Sequence, residues 1–222
     1  MEWGILGVAV IFVVVGYIVL QGTRASMAWR KAASGGDVDV IRQILEDAIL
    51  SWRSIKRPKD VAPDVWRGVQ SVALVDVAAD SAQTGARLGA SVSCQVESEY
   101  RLLDGRWVEV SSPLQEGFAV TACLADMLLY DVPNLRLDSV RIDVHTTFRD
   151  AGGTAERACI LTTNVRRELA REVDWEEWTP AEIVDAFGGR YRLGERGVAL
   201  PVDPVEGAAG GESGALRVRL QL

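Results

Sequence analysis

Residues Trp3 to Leu20 read WGILGVAVIFVVVGYIVL, an apolar run without one charged side chain. As a helix rising ~1.5 Å per residue it spans roughly 27 Å, close to the ~30 Å hydrocarbon core of a bilayer. A helix also satisfies its own backbone polar groups, which lipid demands. Trp3 and Tyr17 stand toward the two ends, where amphipathic rings favour the interface. Gly4 and Gly7 are three apart, so they form no GxxxG motif and predict no helix dimer. The competing assignment is a cleaved signal peptide. That needs a basic start, whereas the chain opens Met1-Glu2. The expectation is an uncleaved single-pass anchor over residues 1–22 that contacts the lipid bilayer.

Arg24, Arg30 and Lys31 follow the run and no Lys or Arg precedes it. The positive-inside rule then places the remainder of the chain in the cytoplasm at the cell membrane. Three separated cysteines, Cys94, Cys123 and Cys159, fit a reducing compartment. Trp29 beside Arg30 and Lys31 suits the headgroup level. Residues 23–36, ending in Ala32-Ala33-Ser34-Gly35-Gly36, are expected to form a juxtamembrane linker.

Residues 37–190 carry the signals of one soluble domain. Val38, Ile41, Leu45, Ile49, Trp52 and Ile55 recur at helical spacing, with Asp37 or Asp39 placed to cap. Residues 69–78 suit a strand. Residues 88–100 alternate, with Leu88, Ala90, Val92, Cys94, Val96 and Tyr100 on one face. Asp104-Gly105 predicts a hairpin that returns through Trp107 to Val110. Ser112-Pro113-Leu114-Gln115 is a capping box, and it opens a helix whose only charge from Gly117 to Tyr130 is Asp126. Asp126 is expected on that helix's one wet edge. Residues 138–148 and 155–165 form a second hairpin around Gly152-Gly153. Thr179-Pro180-Ala181-Glu182 is another capping box, predicting a helix from Pro180 to Phe187 that ends at Gly188-Gly189. Grouped strands with no βαβ rhythm indicate an α+β fold: an antiparallel sheet with helices packed on one face. Residues 191–222 are expected to be a flexible tail. Its end, ALRVRLQL, alternates as a strand with no obvious sheet to join.

Net charge is -7 and there is one histidine, which argues against nucleic-acid binding and against His-rich metal sites. No phosphate-loop, dinucleotide, nucleophile-elbow or zinc-protease motif occurs. No cofactor and no metal is expected. His145 shares a strand face with Arg141 and Asp143, an arrangement that can orient an imidazole for base chemistry. With Gly152-Gly153 as a two-residue turn, His145 pairs with Ile160 and Cys159 with Thr146 on the opposite face, so no His145–Cys159 dyad is expected; only an odd-length turn would bring the two together. Glu97 and Glu99, with Asp76 nearby, are candidates for carboxylate chemistry on one strand face.

The expected function is therefore a membrane-anchored, cytoplasmic protein-interaction or assembly module without catalytic activity. Its contact residues would be Trp175, Leu216, Val218 and Leu220. A membrane-associated protein is the expected partner, and a homo-oligomer is compatible with the sequence. The alternatives are a membrane-tethered hydrolase built from Asp143, His145, Glu97 and Glu99, or a small-ligand sensor with an apolar cavity around Phe118, Ala122 and Val144.

Overall fold

The structure is a computed structural model that describes Tyr17, Gly22, Thr23 and residues 27–82, 85–149 and 153–205. Among the described residues no helix is long and apolar enough to cross a membrane. Trp3 to Leu20, except Tyr17, lies outside them, as do Leu216, Val218 and Leu220.

The elements are α1 (Val38–Ser54), α2 (Pro63–Gln70), β1 (Ala73–Ala82), β2 (Gly85–Gln95), β3 (Glu99–Leu103), β4 (Arg106–Ser111), α3 (Pro113–Asp126), β5 (Ser139–Arg149), β6 (Ala155–Arg166), α4 (Arg167–Ala170), α5 (Pro180–Ala186), β7 (Arg190–Leu193) and β8 (Ala199–Leu200). Six strands form one sheet in the order β1-β2-β5-β6-β7-β8, and β3-β4 form a separate ribbon. The fold is α+β, but the sheet is mixed rather than antiparallel, because β2 and β5 run parallel. Between them the chain leaves the sheet to build the ribbon and α3, a connection long enough to return β5 in the same direction.

Local signals set most helix ends. The Val40 amide donates to Asp37 at 3.2 Å, which caps α1. The box at Ser112 and Gln115 opens α3, and the box at Thr179 and Glu182 opens α5. Asp104 and Gly105 both take positive φ, 49° and 77°, as a two-residue hairpin turn requires. Asp126 is exposed at the end of α3, on the expected wet edge.

Four expectations need correction. Residues 69–78 are not one strand: α2 ends at Gln70 and β1 starts at Ala73. Pro63 at the first helical position sets φ for this short helix, and its buried Val69 is followed so soon by the buried Val72 and by β1 that the apolar run reads as one strand. Residues 88–100 are not continuous either, since the sheet strand stops at Gln95 and Tyr100 belongs to the ribbon. The linker at 23–36 is helical from residue 27 to 34, and Ala33 reaches the core. Finally, the boundary at 190 is misplaced. β7 and β8 extend the sheet, and Val202 donates to the Cys159 carbonyl at 2.9 Å.

One core lies between the sheet and the helices. Val77, Leu88, Ala90, Val92, Cys94, Val140, Ile142, Val144, Leu161 and Val165 supply the sheet side. Ile41, Leu45, Val69, Val120 and Leu124 are among those opposing them. α2 and α3 meet closely at Gly68, where a Cβ would lie 2.4 Å from Val120 Cγ2. Only glycine fits at that contact.

Candidate functional site

Two features stand out at the end of the sheet where β2 gives way to the ribbon. The first is a pocket of about 220 Å³ lined by Asp64, Arg67, Gly68, Ser71, Gln95, Val96, Glu97, Glu99 and Glu116. Three elements place its carboxylates. Asp64 lies in the first turn of α2, Glu99 starts β3, and Glu116 lies in the first turn of α3. Carboxylate oxygens of these three lie within 4.8 Å of one another, close enough for one small cation to touch all three.

Glu116 is buried, and burial pushes its carboxyl above the usual range. The neighbouring Asp64 and Glu99 charges add to that shift, while the Ser111 hydroxyl opposes it. Burial also pushes Asp64 up, but hydrogen bonding from Glu116 and from helix amides outweighs it and leaves Asp64 below its usual value. A proton shared between Glu116 and Asp64 would relieve the like-charge repulsion without any ion. Glu97 and Glu99 thus line one pocket. Asp76 does not join them; it sits on β1, 3.7 Å from Arg42. The sequence did not reveal Asp64 or Glu116. Asp64 was hidden by the unrecognised α2, and Glu116 sits beside a capping box where an acidic residue has an ordinary helix-end role.

The second feature is the ribbon itself. Cross-strand pairs are Tyr100–Glu109, Arg101–Val108, Leu102–Trp107 and Leu103–Arg106. One face therefore carries Tyr100, Leu102, Trp107 and Glu109, and the other Arg101, Leu103, Arg106, Val108 and Val110. Exposure is 56% at Tyr100, 58% at Leu102, 50% at Leu103 and 72% at Trp107. Among the described residues neither ribbon strand pairs with any third strand. Isolated two-stranded ribbons with apolar faces open to water are marginal on their own, so these side chains gain by being covered.

The remaining predicted residues are placed elsewhere. Asp143 is buried on the sheet face away from the helices. It accepts from the Thr162 hydroxyl at 2.6 Å and lies 3.2 Å from Arg141 Nε. Arg141 in turn donates to the Val205 carbonyl at 2.8 Å, and the Val205 amide donates to Thr162 Oγ1 at 3.3 Å. Asp143 thus anchors the strap formed by residues 201–205 through Arg141 and Thr162.

The register argument against a His145–Cys159 pairing is overturned. Arg149 pairs with Ala155, leaving an odd number of residues in the turn, so His145 stands opposite Cys159. A register shift between Val144 and His145 then restores the pairing that buries Val144 against Leu161. Nucleophile chemistry still does not follow. Burial and the Asp143 charge push the Cys159 thiol up to about 11, and its Sγ donates to the Leu161 carbonyl at 3.3 Å. Burial and the Arg157 charge hold the imidazole of His145 below its usual value, although the Asp143 and Cys94 carbonyls favour its protonated form. Its Nδ1 is buried without a hydrogen-bond partner.

Trp175 is half-buried. Its Nε1 donates to the Ala170 carbonyl at 3.1 Å, and its ring lies edge-on to Tyr130 and tilted against Phe187. Phe118 packs edge-on against Tyr191 at 5.0 Å. Comparison of the chain with known protein families, curated proteins and solved structures found no match.

Proposed function

We propose that this chain is a protein-interaction module held at the cytoplasmic face of a membrane by residues 1–22, and that the β3–β4 ribbon is its docking surface. The observation that carries this reading is the ribbon's uncovered apolar surface, centred on Trp107. Large exposed aromatic and aliphatic side chains on one small element mark contact sites, and Trp and Tyr dominate binding energy at such sites. The ribbon also carries Glu99, Arg101, Asp104, Arg106 and Glu109. Five charges within thirteen residues make insertion among lipid tails costly, which favours a protein surface. The membrane stalk and the cytoplasmic side rest on the Trp3 to Leu20 run and its basic flank. A stalk would raise the local concentration of the ribbon for partners in the same membrane.

The hydrolase alternative required Asp143, His145, Glu97 and Glu99 to converge. Glu97 and Glu99 line the pocket, whereas Asp143 and His145 do not.

A photo-crosslinking side chain at position 107 in membranes tests the docking surface. The expected result is a covalent adduct to a discrete protein, with none from the exposed Glu46 position on α1. Lipid adducts alone, or equal labelling from both positions, would refute the proposal.

A further inference from the structure

The open edge of β4 presents Trp107, Val108, Glu109 and Val110 in alternation, all exposed. Trp107 and Glu109 share one face and Val108 and Val110 the other, so any strand that adds here meets an aromatic–acidic face and an aliphatic face. The sequence beyond the strap holds a segment of matching pattern: Leu216, Arg217, Val218, Arg219 and Leu220. Aligned antiparallel, Arg217 falls opposite Glu109 and Arg219 opposite Trp107. Val218 then falls opposite Val108, and Leu216 opposite Val110. The charge pairs with its opposite, and the second guanidinium lies over an indole, the aromatic face that best attracts a cation. A one-residue slip one way would put both arginines against valines, and the other way would put Arg217 against Val108 and Arg219 against Arg106.

We propose that residues 215–222 of this same chain add as a third strand to the open edge of β4 and cover the docking surface in the resting protein. This rests on the ribbon being that surface, and it adds a regulator to it: a partner must displace the chain's own strand. Reach permits the contact. Val205 is pinned to Arg141 and Thr162. From Arg141 along β5 to His145, whose carbonyl accepts from Val96 at the ribbon's root, is roughly 13 Å. The three residues from Val96 to Glu99 add roughly 10 Å. The eleven steps from Val205 to Leu216, four of them into glycine, extend to roughly 36 Å.

Two other open edges fit less well. β3 carries Arg101 at the middle of its five residues, whereas the arginine of β4, Arg106, falls at the strand's start and opposite Leu220. β1 is interrupted by a register shift between Leu74 and Asp76, and its Asp76 already faces Arg42.

Hydrogen exchange on the full chain in detergent micelles tests the proposal, comparing wild type with Val218→Pro and with the double variant Arg217→Glu, Arg219→Glu. Exchange over residues 106–110 should be at least tenfold slower in wild type than in either variant. Equal exchange would overturn the proposal, as would protection that moves instead to Ala73–Ala82. A Glu109→Cys, Arg217→Cys pair should oxidise to an intrachain bridge; a disulfide-linked dimer or no bridge would overturn it. The position-107 photo-adduct should increase in Val218→Pro. If exchange is equal but the adduct still forms, the strand inference falls and the docking surface stands. If the strand protects β4 but no adduct forms in Val218→Pro, the docking surface falls.

Discussion

His145 stands directly opposite Cys159 across the β5–β6 pair, and one position further along Val144 stands opposite Leu161. Ile160 is the extra residue, fully buried. The irregularity lets a polar pair occupy the sheet face away from the helices while the apolar residues keep the core face.

That placement gives stability a pH dependence. Burial and Arg157 hold the folded imidazole below its ordinary value, about 6.5, so the unfolded chain binds the proton more tightly. The contribution is intact above about pH 6.5 and is lost as pH falls toward the lower folded value. The ring is only half-buried, so the effect is a fraction of the about 1.4 kcal/mol per pH unit that one proton can supply. Thermal melts at pH 7.5 and 5.5 should show a smaller difference in His145→Gln than in wild type. An unchanged difference would refute this assignment.

Glu116 predicts the opposite sign. Its folded carboxyl titrates above the unfolded one, so its contribution is present below about pH 4.5 and is lost as pH rises through the folded value. Glu116→Gln keeps the shape and removes the charge. It should stabilise the protein at pH 8 by about 1 kcal/mol, roughly 2–4 °C in Tm, and leave it unchanged at pH 4. Destabilisation at pH 8 would show that the carboxylate is held by a positive charge.

Gly68 and Val120 form a steric pair. Gly68→Ala should cost about 1–3 kcal/mol, because the new Cβ would lie 2.4 Å from Val120 Cγ2. Val120→Ala alone leaves a cavity and also destabilises. The double variant should be more stable than the sum of the two losses, since each change relieves the other. Additive losses in urea melts would place the α2–α3 contact elsewhere.

Asp143 holds Arg141 and Thr162, which in turn hold Val205. Asp143→Ala leaves the Arg141 guanidinium buried without its partner and should cost roughly 3 kcal/mol. Because Arg141 and Thr162 also hold Val205, limited proteolysis should cut near residue 205 faster in the variant. Wild-type stability together with wild-type cleavage would remove Asp143 from the anchor.

Signals confined to a few neighbouring residues were legible without coordinates. The capping boxes at Ser112 and Thr179, the Asp37 cap and the Asp104-Gly105 turn each depend on local hydrogen bonds and backbone preferences, and each appears where the sequence puts it. The alternation of Leu88 to Val96 gave the core face for the same reason. Of the pocket, Glu97 and Glu99 were legible as neighbouring acids, but not as residues of one strand: Glu97 lies in the connection between β2 and β3, and Glu99 starts β3.

Tertiary structure alone decided the rest. The meeting of Glu99 with Asp64 and Glu116 needs three segments that are distant in the chain, and no periodicity encodes which helix ends will converge. The parallel β2–β5 pairing, the shifted register at His145 and the departure of Glu99 to Ser111 from the sheet are choices among arrangements with nearly equal local energy. Packing settles them: the arrangement adopted buries Val144, Leu161 and Val120 together while leaving the Trp107 ribbon outside.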